Sequence, residues 1–418
     1  MKLVSGVYLL GMWAYGLCLR LVSPFNTKAR QICRGRRETW RKLEEYDNSG
    51  GCIWVHAASL GEFEQGRPLI EAIKARRPEQ KIVLTFYSPS GYEVRKNYKM
   101  ADLVCYLPSD TPRNARRFVE AIGPSAAYFV KYEFWHFYMA SLRRHGVPLY
   151  GVSMIFRRQQ PFFSPWGDWF REMLRSFSHL YVQDAESGRL LHGIGLDNYS
   201  VAGDTRFDRV SQIASGAAEV PAAAKLAAGA RHVIVAGSTW PPDEDILADY
   251  INKAPTDVKM IIAPHEIDKG RVGSLCAKLR VPYALYSSHT PEELASARVL
   301  VVDTIGILSA VYRYSTLSYV GGGFGVGIHN TLEPAIYGRP VVFGPNHKRF
   351  KEAVDLIGCG GGFCVRGSGE FASLADTLLG SDERLSAAGE AAGSYCRGML
   401  GATEKIMNDT QDTRQKKS

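Results

Sequence analysis

The chain has 418 residues, of which 45% are hydrophobic and 22% charged, and a formal net charge of +9. That length and composition exclude a lone small domain and a disordered chain, and allow two folded cores. The charge asks for an anionic partner, and its crowding into Lys28, Arg30, Arg34, Arg36, Arg37, Arg41 and Lys42, straight after an apolar run, points to a phospholipid surface rather than to nucleic acid.

That apolar run, residues 3 to 22, reads LVSGVYLLGMWAYGLCLRLV, with Arg20 its only charge. At about 1.5 Å per residue it is long enough for a ~30 Å hydrocarbon layer. Residues 1–26 are therefore expected to be a membrane-anchor helix, spanning or lying in the interface, with a buried core helix as the bland alternative. Residues 27–48 follow as a basic juxtamembrane linker, and by the positive-inside rule the rest of the chain is cytoplasmic. Eight cysteines without CxxC or zinc spacing are expected to be reduced core thiols.

Beyond the linker, short apolar β-rich runs alternate with helical patterns. Strands are expected near 52–58, 81–86, 126–130, 149–153, 180–183, 233–236, 258–263, 299–303, 317–320 and 340–343. Such runs form parallel sheets covered on both faces, and ten strands are too many for one such unit. The Ala/Gly-rich stretch 215–229 marks the junction. The expected fold is α/β, with two Rossmann-like domains facing across a cleft, 49–214 and 215–407, and a disordered polar tail, 408–418. Ligands of this architecture bind at the carboxyl ends of the strands.

Several motifs fall at such ends. In Trp54-Val-His-Ala-Ala-Ser-Leu-Gly-Glu62 a strand enters a helix, with Gly61 allowing a tight turn and Glu62 delivered at the helix start. The same spacing is a Ser-x-x-Glu capping box, which would give Ser59 and Glu62 a purely structural role. Glu133, in Val130-Lys-Tyr-Glu-Phe-Trp, again follows a strand, and paired carboxylates at neighbouring strand ends suit general-base work. In the second half, Ser238 and Thr239, then Pro264 and His265, then Asp303 and Gly306 each follow a strand. The run Val320-Gly-Gly-Gly-Phe-Gly-Val-Gly-Ile-His-Asn-Thr-Leu-Glu333 offers backbone N–H groups at Gly322 and Gly323, and a helix start near Asn330, to a phosphate. Asn330 and Glu333 could equally be an Asn-x-x-Glu cap. Asp243-Glu-Asp245 has the form of a metal-binding DxD but follows Pro241-Pro242, so the acids are expected to serve a helix dipole, with no metal site.

Taken in order, His56-Ala-Ala-Ser-Leu-Gly-Glu62, Tyr132-Glu-Phe-Trp135, Gly203-Asp-Thr-Arg-Phe-Asp208, Ala236-Gly-Ser-Thr239, Pro264-His265, Asp303-Thr-Ile-Gly306, the run from Val320 to Pro334 and Gly344-Pro-Asn-His347 resemble the Kdo (3-deoxy-D-manno-octulosonic acid) transferase family. The chain departs from that pattern in lacking an arginine between Pro264 and His265, and at Arg206, Trp240, Ile307 and Ile328.

The resemblance implies a GT-B glycosyltransferase that moves Kdo from CMP-Kdo, with inversion and without metal or other cofactor, to a sugar hydroxyl of lipid IVA at the inner membrane. It makes Glu62 the base and Glu133 a second functional acid. Arg206, Ser238, Thr239, Pro264, His265, Asp303, Gly306, Gly322, Gly323, His329, Asn330 and Glu333 go to the donor, with Glu333 on the ribose. Ser59, Gly61, Ser88, Ser90 and Gly91 go to the acceptor loops. A UDP-sugar 2-epimerase on the same architecture is the rival, and the Ser-Leu-Gly-Glu segment combined with the anchor counts against it.

Overall fold

The computed structural model describes residues 2–415 apart from Val326. It contains two compact units, residues 1–209 with 400–418, and residues 210–399. The division falls between Arg209 and Val210, inside the helix Thr205–Gly216, a few residues before the junction expected from composition.

The first unit is a parallel sheet of β1 (Cys52–Ala57), β2 (Lys81–Phe86), β3 (Leu103–Tyr106), β4 (Pro124–Val130), β5 (Leu149–Met154), β6 (His179–Val182) and β7 (Tyr199–Val201), ordered β3-β2-β1-β4-β5-β6-β7. Its strands are apolar on both faces because both are covered. Ile53 and Val55 pack in one core with Phe63 and Ile70, while Cys52 and Trp54 pack in the other with Phe118 and Tyr138.

Two helices precede β1: α1 (Lys2–Val22) and α2 (Thr27–Glu45). The segment expected to be a basic linker is thus a docked helix. Asn26 caps α2 by accepting from the Ala29 N–H at 3.0 Å, and Ile32, Gly35, Thr39 and Leu43 form its buried stripe. Gly35 lies so close to the Tyr106 ring that a Cβ would come within 2.1 Å of it, and Thr39 donates to the Tyr106 carbonyl at 2.9 Å. The arginines crowding the other faces hid this stripe.

Helix α1 lies along the same unit. Tyr8 donates to Asp110 Oδ2 at 2.7 Å, Ser5 Oγ is 3.0 Å from His136 Nε2, and Tyr15 stacks on Tyr87. Leu3, Val7, Leu10, Leu17 and Leu21, spaced by three, four and seven, face away from the protein and are exposed.

After β1 comes α3 (Leu60–Arg76). The helix Ala402–Gln415 packs in the same unit, with Ile406 and Met407 in the core beside Phe63 and Ile70, and Thr410 also buried. The tail expected to be disordered from residue 408 is therefore helical to Gln415, because its inward stripe begins before Asn408; residues 416–418 lie outside the described residues. Asp208 holds the start of this helix, accepting from the Gly401 and Thr403 N–H groups at 2.7 Å each.

The second unit is a parallel sheet of β8 (His232–Thr239), β9 (Val258–Pro264), β10 (Tyr283–Leu285), β11 (Val299–Val301), β12 (Leu317–Val320), β13 (Val341–Phe343) and β14 (Gly362–Cys364), ordered β10-β11-β9-β8-β12-β13-β14. Strand order reverses between β1 and β4 in the first sheet and between β8 and β12 in the second. Those are the two switch points at which ligands of such sheets bind. All eight cysteines are free; Cys52, Cys105 and Cys396 are buried, whereas Cys18 and Cys359 are exposed rather than core thiols.

Candidate active site

In the first unit the chemistry collects at the carboxyl ends of β2, β1 and β4. Ser59 caps α3, and Glu62 Oε2 accepts from the Ser59 N–H at 2.8 Å and from its hydroxyl at 3.0 Å. The capping box is real, and it holds the carboxylate at the mouth of the switch point. Burial, and then the charge of Glu133, push the Glu62 carboxyl above its ordinary range, against the pull of the two Ser59 bonds. A carboxylate held this way is a better proton acceptor than an exposed one.

Glu133 is buried, and its Oε2 meets His56 Nε2 at 2.9 Å and Trp135 Nε1 at 2.7 Å. His56, fully buried, is held from behind by Thr85 Oγ1 at 2.8 Å from Nδ1, and Trp54 Nε1 donates to that same hydroxyl at 2.8 Å. Between β4 and Glu133, Lys131 has left-handed backbone, φ 66°. Strained non-glycine backbone persists where surrounding structure over-determines it, commonly at functional sites.

Ser88, Ser90 and Gly91 follow β2 and join this group. Ser88 caps the helix Pro89–Arg95, and its N–H donates to the Ala58 carbonyl at 2.7 Å. A Cβ on Gly91 would come within 2.3 Å of the Phe86 ring and 3.1 Å of the Ser59 carbonyl carbon, so glycine lets the two loops touch. Gly61 does not have the turning role expected of it. It sits inside the first turn of α3 without left-handed φ, and nothing lies within 4 Å of where its Cβ would be. Arg206 belongs to this unit too, tied through Nε to Asp204 Oδ2 at 2.8 Å, while Asp204 Oδ1 accepts from Gln65 of α3 at 3.0 Å.

In the second unit, Ser238, Pro264, His265, Gly322, Gly323 and His329 gather at the ends of β8, β9 and β12. Ser238 has φ 53°, and its carbonyl lies where a Cβ on Gly321 would intrude, at 2.3 Å. Gly323 likewise lies against the Gly344 backbone. Asp243 ties the glycine loop down from beneath, accepting from the Gly322 N–H at 2.9 Å, the Tyr319 hydroxyl at 2.7 Å and the Trp240 N–H at 2.8 Å. Above it, Trp240, His265 and His329 form a stack, with ring centroids 4.8 and 4.4 Å apart, and Trp240 Nε1 donates to His329 Nε2 at 3.1 Å. Burial, and then His265, lower the His329 pKa to about 4. Beside the loop a cavity of about 620 Å³ is lined by Asn346, His347, Lys348, Arg349 and Arg366, a basic place for an anionic ligand.

Four expectations change here. Thr239 is buried, its hydroxyl directed to Glu244 Oε1 at 3.3 Å rather than into the site. Asp303 and Gly306 follow β11, separated from β8 by β9, and the Asp303 carboxylate is taken up by the Ser287 N–H at 2.9 Å and the Ser287 hydroxyl. The helix expected from Asn330 is the single turn Leu332–Ala335, because Pro334 brings no N–H and Gly338, at φ 67°, ends the segment, so no helix dipole is presented at Asn330. Asn330 and Glu333 do bond each other, at 3.0 Å, and the other Glu333 oxygen accepts from Ser309 at 2.6 Å.

A family model described as 3-Deoxy-D-manno-octulosonic-acid transferase (kdotransferase) matches residues 33–209, the stretch that carries Glu62 and Glu133. The chain is 28% identical to the 3-deoxy-D-manno-octulosonic acid transferase of Bordetella pertussis, covering 86% of this chain and 87% of that one. Residues 33–209 thus match the Kdo transferase family, and relatives that carry its name align with most of the chain. The transferase of the same name from Aquifex aeolicus is 27% identical over 80% of this chain and 88% of its own. These likenesses mark the protein as a glycosyltransferase of lipopolysaccharide biosynthesis.

Solved structures agree on the fold. The UDP-GlcNAc 2-epimerase of Neisseria meningitidis bound to UDP-GlcNAc superposes with a TM-score of 0.60 at 14% identity, covering 86% of this chain and 99% of that one. MurG of Acinetobacter baumannii gives 0.55 at 12%, covering 87% and 99%. At such identity the likeness is one of GT-B architecture, and the epimerase match carries no chemistry to this chain.

The residues that sequence reasoning left without a role are His56, Thr85, Trp135 and Trp240, and Asp243 was expected only to serve a helix dipole. All but Trp135, which reaches Glu133 from two residues away, act on a neighbour brought in by the sheet rather than by local spacing.

Proposed function

We propose that the protein transfers Kdo from CMP-Kdo to a sugar hydroxyl of lipid IVA, with inversion at the anomeric carbon. The observation that carries this reading is Glu62, a carboxylate fixed by Ser59 at the switch point of the first unit with its proton affinity raised by burial and by Glu133.

Glu62 takes the proton of the acceptor hydroxyl as that oxygen attacks the anomeric carbon, and the bond to the CMP phosphate breaks on the opposite face. Negative charge grows on the phosphate and is met by the N–H of Gly323, with Ser238 beside it and the loop held in shape by the bond from the Gly322 N–H to Asp243. Glu333 serves the ribose. His56 and Trp135 fix Glu133 in place, and burial, then the charge of Glu133, keep Glu62 basic. Asp243, Glu244 and Asp245 are each engaged by protein, in the last two cases by Arg271 at 2.9 Å and Lys278 at 2.6 Å, which favours metal-independent chemistry.

Helix α1 attaches the enzyme to the cytoplasmic face of the inner membrane. Its contacts through Ser5, Tyr8 and Tyr15 favour a helix lying on the bilayer, with the Leu3 to Leu21 stripe inserted, over one that spans it.

The stereochemistry tests the single-displacement step. NMR of the product formed from CMP-Kdo should show the anomer opposite to that of the donor; retention would contradict direct attack assisted by Glu62.

A further inference from the structure

A second basic cavity, about 310 Å³, lies in the first unit between α1, α2 and the loop after β3. Its lining includes Arg20, Arg36, Arg37, Trp40, Ser109 and Asn114, and contains no carboxylate. Arg36 is fixed inside it: Nε donates to the Leu107 carbonyl at 3.1 Å, Nη1 to Ser109 Oγ at 3.0 Å, and the guanidinium lies 4.7 Å from the Tyr87 ring centre. Its remaining nitrogen, Nη2, is buried and makes no well-formed hydrogen bond, the guanidinium's further polar neighbour being the Tyr87 side chain. A buried charged donor left unsatisfied is costly, and an anion supplied from outside removes the cost. The side chains of Arg20 and Arg37 are exposed at the same cavity.

What kind of anion is decided by α1. Gly16 and Leu19 face the cavity, whereas Leu17 and Leu21, on the next positions round the helix, belong to the outward apolar stripe. One helix therefore offers guanidinium donors and hydrocarbon contacts side by side, which suits an amphiphile and gives a free anion nothing for the second half. The cavity is roomier than a phosphate requires and can take the phosphate with the sugar or glycerol carbons next to it. Arginine forks match the oxygens of a phosphate bidentately.

We propose that this cavity binds the phosphomonoester group of an anionic membrane lipid, holding it by Arg36, Arg37 and Arg20 while the acyl chains lie along α1. The site deepens the acceptor reading above, on which it rests only for which lipid is held during catalysis.

The test is co-sedimentation of the full chain with phosphatidylcholine vesicles, with and without phosphatidic acid, at fixed salt. Two variants lose the same charge: Arg20→Gln with Arg37→Gln in the cavity, and Arg34→Gln with Arg41→Gln on α2 outside it. All four side chains are exposed, so both variants keep the fold. The cavity pair should bind phosphatidic acid vesicles about ten-fold more weakly than the outer pair, one charge-assisted hydrogen bond's worth. Both should match the parent protein on pure phosphatidylcholine. Equal losses in the two pairs would mean diffuse attraction and overturn the site. Release of the parent protein from phosphatidic acid vesicles by millimolar inorganic phosphate would assign the cavity to a free anion and overturn the lipid. Neither readout involves sugar transfer, so a failed transferase assay with intact vesicle discrimination would sink the functional reading and leave this one standing.

Discussion

His56 Nε2 lies 2.9 Å from Glu133 Oε2, and the imidazole is held at its other nitrogen by Thr85. Thr85 faces that nitrogen with both its hydroxyl, at 2.8 Å, and its carbonyl, at 3.2 Å, and Trp54 Nε1 donates to the same hydroxyl. His56→Ala would leave a buried carboxylate one donor short. The expected cost is about 1.5–3 kcal/mol of stability with a fall in kcat. His56→Gln, which can still donate, should recover part of both. Thermal melts and steady-state rates check this.

Glu62→Gln separates the structural from the chemical role of the capping residue. Glutamine can occupy the same position of a capping box, so the start of α3 stays formed. The Glu62 pKa is raised on folding, so between its ordinary and its raised value the folded chain keeps a proton that the unfolded chain has released. Stability therefore falls as pH rises through that window. Glutamine does not titrate, and the variant should be as stable as the parent, or more so, at pH 7 while losing at least about a hundred-fold in transfer. A loss of stability matching the loss of rate would return Glu62 to a capping role alone.

The stack on the second unit gives a pH signature of the opposite sign. His329 titrates at about 4, below an ordinary histidine, so the unfolded chain takes up its proton first as the pH falls from about 6.5. Stability contributed by neutral His329 is complete above that value and is lost down to about 4. His329→Phe keeps a ring in the stack without the titration, and denaturant unfolding should then show a flatter acid limb than the parent's.

Asp243 is bonded to three donors, one of them the Gly322 N–H, so Asp243→Ala should loosen the glycine loop. We expect KM for the donor to rise by at least about ten-fold. A wild-type KM would mean that the loop holds its shape without the carboxylate.

Replacing Leu10 and Leu17 with Gln removes apolar area from the outward stripe and leaves every inward contact of α1 in place. At about 1.5–3 kcal/mol per leucine the pair should move most of the protein from vesicles to the supernatant, with an unchanged melting temperature. A fall in melting temperature would show that the stripe packs on protein.

Ten of the fourteen strands are legible in sequence because they are apolar runs buried on both faces. The four that are not, Leu103–Tyr106, Tyr199–Val201, Tyr283–Leu285 and Gly362–Cys364, are the edge strands of the two sheets, short and for the most part incompletely buried. Glu62 and Glu133 are legible because each follows a strand within a few residues. The support behind them is not. His56 meets Thr85 only because β1 and β2 pair in that register, and it meets Glu133 only because β1 also pairs with β4. The reach of Asp243 to Gly322 likewise depends on β8 lying beside β12. Helix α2 was hidden for a different reason: a stripe of Ile32, Gly35, Thr39 and Leu43 carries little hydrophobic signal among seven basic residues.

The most direct test of the account is mass spectrometry of lipid IVA after incubation with CMP-Kdo and either the parent protein or Glu62→Gln. The parent should add the mass of one or more Kdo residues, and the variant, folded by its melting curve, should leave the lipid unchanged over the same time. An unmodified lipid with the parent protein, or full product with Glu62→Gln, would contradict it.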